Sequence, residues 1–198
     1  MDRFERKAIK QGCRLVAGVD EAGRGPLAGP VVAASVIFAA PYPIGIGIND
    51  SKKLTPVARE RLAPIIRQTA LNIGIGIVWP LTIDVINIRQ ASMLAMARAI
   101  ESMAVTPDML LIDGNTRLEL DLPQKTIVGG DELSVSIAAA SIIAKTTRDA
   151  IMEACHGLHP QYNFLSNKGY GTQEHLQALR KHGPCPMHRM TFGGVVVK

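Results

Sequence analysis

The chain has 198 residues, of which 47% are hydrophobic and only 4% aromatic. Its 22 Lys and Arg outnumber 17 Asp and Glu, for a net charge of +5. That apolar content supports an aliphatic, Ala-rich core and excludes intrinsic disorder, while the positive balance points to an anionic partner such as nucleic acid. The opening residues, MDRFERKAIKQG, carry no apolar h-region, so no secretory signal is expected. No run of about 18 apolar residues predicts a membrane span.

Residues 14–19 form a short apolar run ending in Asp20-Glu21, and residues 31–39 a second, β-branched one; both predict buried strands. A Gly/Pro/Ile loop covers residues 41–49. Thr55 can cap, and Pro56 can start, a helix to about residue 69. Residues 71–79 predict a third strand, weakened by Gly74 and Gly76. A long helix follows over 82–104, broken by Thr106-Pro107. Residues 109–112 and 126–128 predict two more short strands. Residues 134–154 read as a helix with Ile137, Ala140, Ala144, Thr147 and Ile151 on one face, and a last helix spans about 172–181. Clustered strands followed by strand and helix in alternation predict one α/β domain with a mixed sheet.

Four acids stand where strands end or loops begin: Asp20, Glu21, Asp113 and Asp131. Loops beyond the carboxyl ends of strands are where α/β sheets place their sites. Neighbours on a strand point to opposite faces. For both Asp20 and Glu21 to serve one site, Glu21 must offer its side chain past the strand end or its backbone carbonyl. Asp113 precedes Gly114, where an ordinary Asp-Gly turn is an equally good reading. Carboxylates sharing a cleft repel, and a divalent cation removes that penalty; oxygen-only ligands select hard ions such as Mg²⁺ or Mn²⁺.

The segment Gly23-Arg24-Gly25-Pro26 is not a phosphate-binding P-loop, having no Gly-Lys-Ser/Thr, and no helix follows it as in a dinucleotide fingerprint. Spacing alone favours a hairpin turn between two strands; the alternative is a backbone that glycine lets approach a ligand closely.

The strings GVDEAGRGPLAGPVV, NDSKKL, LLIDGN, SIAAASIIAK with TRD, HPQYNF with KGYGT, and HG with HRMTF occur in that order over residues 16–192. Together they resemble bacterial ribonuclease HII. The resemblance implies a ribonuclease H-like fold, a mixed five-stranded sheet flanked by helices. It implies a single catalytic domain over 1–198 with 155–198 as a small helical C-terminal part. It further implies an endonuclease that hydrolyses the RNA strand of RNA–DNA hybrids and nicks duplex DNA 5′ of embedded ribonucleotides. Such an enzyme uses Mn²⁺ or Mg²⁺, leaves a 3′-hydroxyl and a 5′-phosphate, and works as a cytoplasmic monomer.

By the same resemblance the metal ligands are Asp20, Glu21, Asp113 and Asp131. The backbone of Gly23, Arg24 and Gly25 senses a 2′-hydroxyl, and Tyr170 stacks on a sugar at the RNA–DNA junction. Asn49, Ser51 and Lys52, and further on Lys145 and Arg148, contact phosphates. Lys145 and Arg148 are three apart, so they are expected to share a helix face. Where the family commonly reads Lys-Gly-Asp-Ser, this chain reads Gly129-Gly130-Asp131-Glu132. The expected chemistry is two-ion hydrolysis, one ion lowering the pKa of a bound water and the other stabilising the leaving 3′-oxygen. The alternatives are a binding protein on the same fold that does not cleave, and a small-molecule phosphohydrolase.

Cys155, His156, His159, His182, Cys185 and His188 offer a competing zinc reading, but no CxxC-type spacing supports it. The odd, scattered cysteines, Cys13 included, argue against a disulfide framework.

Overall fold

The computed structural model describes residues 1–40, 42, 48 and 54–195. Asn49, Ser51 and Lys52 lie outside them. Five strands form one sheet: β1 (Val16–Ala22), β2 (Val31–Phe38), β3 (Ala70–Val78), β4 (Met109–Asp113) and β5 (Gln124–Ile127), in the order β3-β2-β1-β4-β5. β1, β2 and β3 pair antiparallel, whereas β1, β4 and β5 run parallel. This is the mixed α/β sheet that the sequence predicts.

Each face of the sheet carries a long helix. α3 (Pro80–Glu101) covers one face, where Ala91, Ala95 and Ala99 meet Ala17, Val19, Val31 and Ala33. α5 (Val135–Leu158) covers the other, where Ala138, Ala139 and Ile142 meet Ala34 and Val36, with α2 (Pro56–Thr69) packed beside it. The glycines that weaken β3 in sequence have a packing reason. A Cβ on Gly74 would stand 1.8 Å from the carbonyl oxygen of Ala99, and one on Gly76 2.0 Å from that of Ala95. On the opposite face, a Cβ on Gly18 would stand 2.1 Å from the main chain of Ser136. Helix backbones lie directly on the strands, which explains a core built from alanine.

Several elements differ from expectation. A helix, α1 (Arg3–Lys10), occupies the charged opening segment. Its Glu5 is fully buried and accepts hydrogen bonds from the Ser134 hydroxyl at 2.5 Å and the Ser136 N–H at 3.0 Å, where α5 begins. An anion at a helix N-terminus is stabilised by the unpaired N–H groups there. β1 continues through Ala22, so both of its acids belong to the strand. α3 is kinked at Asn87, whose φ is +68° and whose side-chain oxygen caps Arg89 and Gln90. Short helices α4 (Gly130–Leu133) and α6 (Phe164–Asn167) lie in stretches with no helical periodicity, and α7 (Gln173–His182) closes the series.

Candidate active site

Val19 stands opposite Ile112 in the parallel pairing, so one step further Asp20 comes beside Asp113 at the carboxyl edge of the sheet. Alternation turns Asp20 to the α5 side, like Gly18, and Glu21 to the α3 side, like Ala17 and Val19. Glu21 therefore points away from Asp20 and lines the hollows at the strand end. Asp20 is 4% exposed. Its Oδ1 accepts from the Glu21 N–H at 2.7 Å, and Arg24 Nη1 donates to Glu21 Oε1 at 3.3 Å. Asp113 Oδ1 accepts from the Gly130 N–H at 2.7 Å, which ties β4 to the start of α4 and hence to the buried Asp131. Glu132 is exposed, and Gly129 takes a left-handed conformation, φ +67°, in open space, a backbone that glycine adopts without strain.

Burial pushes the Asp20 carboxyl well above its ordinary value, and the charges of Glu21 and Asp113 push it further, against a hydrogen bond from Ser141. Burial also raises Glu21; Arg24 opposes that rise and Asp113 adds to it. Hard oxygen donors whose ionised forms are disfavoured by burial and by each other fit a divalent cation, which reverses both effects. Among the described residues no three His, Cys, Asp or Glu side chains converge as metal ligands. Asp20, Glu21 and Asp113 each direct an oxygen to a protein donor instead.

Two hollows flank Glu21. One, of about 280 Å³, is lined by Arg24, Arg89, Asp113, Asn115 and Thr116 among others. The other, of about 230 Å³, includes Gly23, Arg59, Ser141, Lys145 and Tyr170. Tyr170 is 48% exposed rather than packed under the C-terminal helix, and its ring lies 3.8 Å from where a Cβ on Gly25 would stand. Residues 23–30 do join β1 to β2 as a hairpin, with Gly23 at φ +96° and Gly29 at φ +89°. A Cβ on Gly23 would stand 2.2 Å from Arg148 Nε and one on Gly29 2.2 Å from Met152 Sδ, so at these two positions glycine serves close approach to the chain's own helix. Lys145 keeps an ion pair with Asp149 at 2.5 Å, and burial lowers its pKa.

Arg148 departs from expectation. It lines the same hollow as Lys145, as a shared helix face predicts, yet it is 1% exposed, on the buried stripe that continues through Met152 and Cys155. Its Nε donates to the Pro30 carbonyl at 3.0 Å, Nη1 to Lys168 at 2.9 Å and Nη2 to Ala28 at 2.9 Å. These hydrogen bonds tie the 23–30 loop to the segment bearing Tyr170. The zinc reading also fails geometrically. His188 is buried with its Nε2 2.9 Å from His175 Nε2, in a nest with Tyr162 and Phe164, while His182 is exposed.

Sequence reasoning missed Arg89, Asn115, Ser141 and Arg189. Ser141 and Arg189 lie inside the quoted strings SIAAASIIAK and HRMTF, but a serine in an alanine run and an arginine near a terminus carry no signal by themselves. Arg89 is brought to the cleft by the kink at Asn87, which no periodicity foretells.

A family model described as Ribonuclease HII matches residues 17–195. The chain is 56% identical over 192 residues to Ribonuclease HII of Syntrophus aciditrophicus (strain SB), covering 97% of this chain and 90% of that one. Its fold is similar to the crystal structure of ribonuclease H2 from Pyrococcus horikoshii OT3, with a TM-score of 0.79, 25% identity, and coverage of 91% of this chain and 95% of that one. It is also similar in fold to Bst-RNase HIII crystallised with Mn²⁺, with a TM-score of 0.74 at 20% identity over 91% of this chain and 68% of that one.

Proposed function

The chain belongs to the ribonuclease HII family of metal-dependent endoribonucleases, which cleave the RNA of RNA–DNA hybrids, and on that premise we propose that it also nicks duplex DNA 5′ of embedded ribonucleotides by two-ion hydrolysis. The observation that carries this reading is the meeting of Asp20, Glu21 and Asp113 at one sheet edge, with Tyr170 and the 23–25 backbone beside the adjoining hollow.

Asp20, Glu21, Asp113 and Asp131 would hold the ions, Mn²⁺ or Mg²⁺ by the hardness of their oxygen donors. When bound, the ions supply a water of lowered pKa and stabilise the leaving 3′-oxygen. The chain's own residues do the rest. Lys145 attracts a backbone phosphate into the hollow it lines; by the family resemblance Asn49, Ser51 and Lys52 also contact phosphates. The backbone polar groups of Gly23, Arg24 and Gly25 accept only a sugar bearing a 2′-hydroxyl, the feature that separates RNA from DNA. The exposed ring of Tyr170 lies flat against the next sugar, where a deoxyribose has no hydroxyl to push it away. The products carry a 3′-hydroxyl and a 5′-phosphate. The whole chain acts as one catalytic domain, as a cytoplasmic monomer.

The test is a labelled DNA duplex carrying a single ribonucleotide, incubated with Mn²⁺ or Mg²⁺. The expected result is one nick 5′ of the ribonucleotide and none in the all-DNA duplex. Binding without a nick in either ion overturns the reading in favour of a non-cleaving binder.

A further inference from the structure

Resting on that reading of the 23–25 backbone, we propose that Arg189 is a positioning residue for 2′-hydroxyl recognition: it sets the orientation of the sensing peptides from behind, without touching the substrate.

Arg189 is fully buried. Its Nη2 donates to the Gly23 carbonyl at 2.5 Å and to Gly29 at 2.8 Å. Its Nη1 donates to Arg24 at 2.9 Å and to Pro26 at 2.8 Å, and its Nε to Gly29 at 3.0 Å. One guanidinium thus gathers four carbonyls of a single loop. In a trans peptide the C=O and N–H point in opposite directions. Drawing the carbonyls of Gly23 and Arg24 inward therefore turns the N–H groups of Arg24 and Gly25 outward, to the side from which a sugar approaches. An N–H so presented donates to a 2′-hydroxyl oxygen and finds no partner on a deoxyribose.

The clamp is itself anchored. The Met190 and Thr191 N–H groups donate to Asp84 at 2.9 Å and 3.0 Å, which fixes the strap carrying Arg189 to the first turns of α3. The Arg189 N–H donates to the Leu27 carbonyl, and the Gly29 N–H to that of Met187, so strap and loop pair along their backbones as well. Burial and the nearby Arg148 charge lower the Arg189 pKa, against which the five hydrogen bonds to carbonyls hold the charged form. Only a planar fork of five donors reaches this many acceptors at once; a lysine ammonium presents three donors from one point.

The test compares Arg189→Lys with Ile66→Val, a core change remote from the loop, below the melting temperature of both variants. Arg189→Lys is expected to lose roughly 10–100-fold in kcat on a single-ribonucleotide duplex, the scale on which a small misplacement of recognition groups acts. Its affinity for the same duplex in Ca²⁺ should stay within about twofold, because phosphate contacts dominate binding. Ile66→Val should keep kcat. Equal kcat in the two variants, or a loss confined to affinity, overturns the proposal. Should Arg189→Lys not fold, Asp84→Asn, which loosens the strap only, is expected to show a smaller loss of kcat with the same unchanged affinity. An unchanged kcat in that variant counts against the proposal equally. A wild-type chain that fails to nick at all sinks the functional reading instead, whereas wild-type nicking matched by both variants sinks only the role of Arg189.

Discussion

Around Asp20, carboxylates share a buried strand end, where burial and the charges of Glu21 and Asp113 raise the Asp20 pKa; around Arg189, a single buried guanidinium meets four carbonyls of one loop. Both regions bury charge. The first leaves like charges together, so its electrostatics are unfavourable until a cation arrives. The second matches its charge with fixed dipoles on every side, so it is rigid as built. On the functional reading proposed above, the contrast separates chemistry at the acid edge from recognition at the loop beside it.

The sharpest way to break this comparison is to neutralise an acid. Asp20→Asn or Asp113→Asn should lower cleavage by at least about 10³-fold, the scale of losing one preorganised electrostatic group. Without metal, Asp20→Asn should melt higher than wild type, by about 1 kcal/mol, because it removes a buried like charge. Calorimetry in chelator alongside a nicking assay checks both. A lower melting temperature with activity retained would take the metal site away from this edge.

The two regions also predict opposite responses to pH. The folded-state pKa of Asp20 lies above 3.8, so folding favours its protonated form and stability falls as pH rises from 3.8 through the raised value. His188, in the C-terminal nest behind the loop, is held down to about 4 from 6.5, by burial first and then by His175. Its contribution is fully present above pH 6.5 and is lost as pH falls toward 4. In the wild-type chain the two slopes oppose each other. In Asp20→Asn the opposing slope is left to Glu21, whose pKa burial also raises, while His175, lowered by burial, adds to that of His188, so stability in chelator should rise more steeply between pH 4 and 6.5 than in wild type. A profile in that variant no steeper than wild type would show that Asp20 adds no opposing slope.

A smaller effect is expected at the sugar platform. Tyr170→Ala removes a half-exposed ring, so fold and metal affinity should be kept. Nicking at a single ribonucleotide should fall by about 1–3 kcal/mol in transition-state terms, the scale of one lost stacking contact. A continuous RNA–DNA hybrid, which has no junction at most positions, should be slowed less. Equal slowing of both substrates in a rate comparison would remove Tyr170 from the junction.

Much of this architecture is legible in the chain. The acids are visible as polar residues closing apolar runs, and the strand order brings Asp20 and Asp113 together because β1 and β4 are parallel neighbours. α1 is hidden because its buried Glu5 serves the N-terminus of a helix some 130 residues on. α3's kink is hidden because one asparagine with positive φ breaks no hydrophobic pattern. Arg148 misleads for a related reason. A basic residue three positions after Lys145 reads as its partner on one phosphate-contacting helix face, yet Met152 and Cys155 complete a buried stripe with it, and tertiary contacts with the 23–30 loop and Lys168 supply its acceptors.

That reassignment of Arg148 yields the smallest and most discriminating expectation. Lys145 lines the hollow beside Glu21, half-buried, with Asp149 as its ion-pair partner among the described residues, so a phosphate can compete for its ammonium. Arg148 is fully committed to carbonyls. Each phosphate contact releases condensed counterions, so the slope of log affinity against log salt counts such contacts. Lys145→Ala should reduce that slope by about 1 and weaken duplex binding modestly at low salt. Arg148→Lys keeps the charge while giving up the fork, so its binding slope should match wild type even as its melting temperature drops. Binding isotherms in Ca²⁺ across a salt series measure both. If Arg148→Lys lowers the slope and Lys145→Ala does not, the cation that faces the backbone is Arg148, and the loop it ties must open for substrate to reach it.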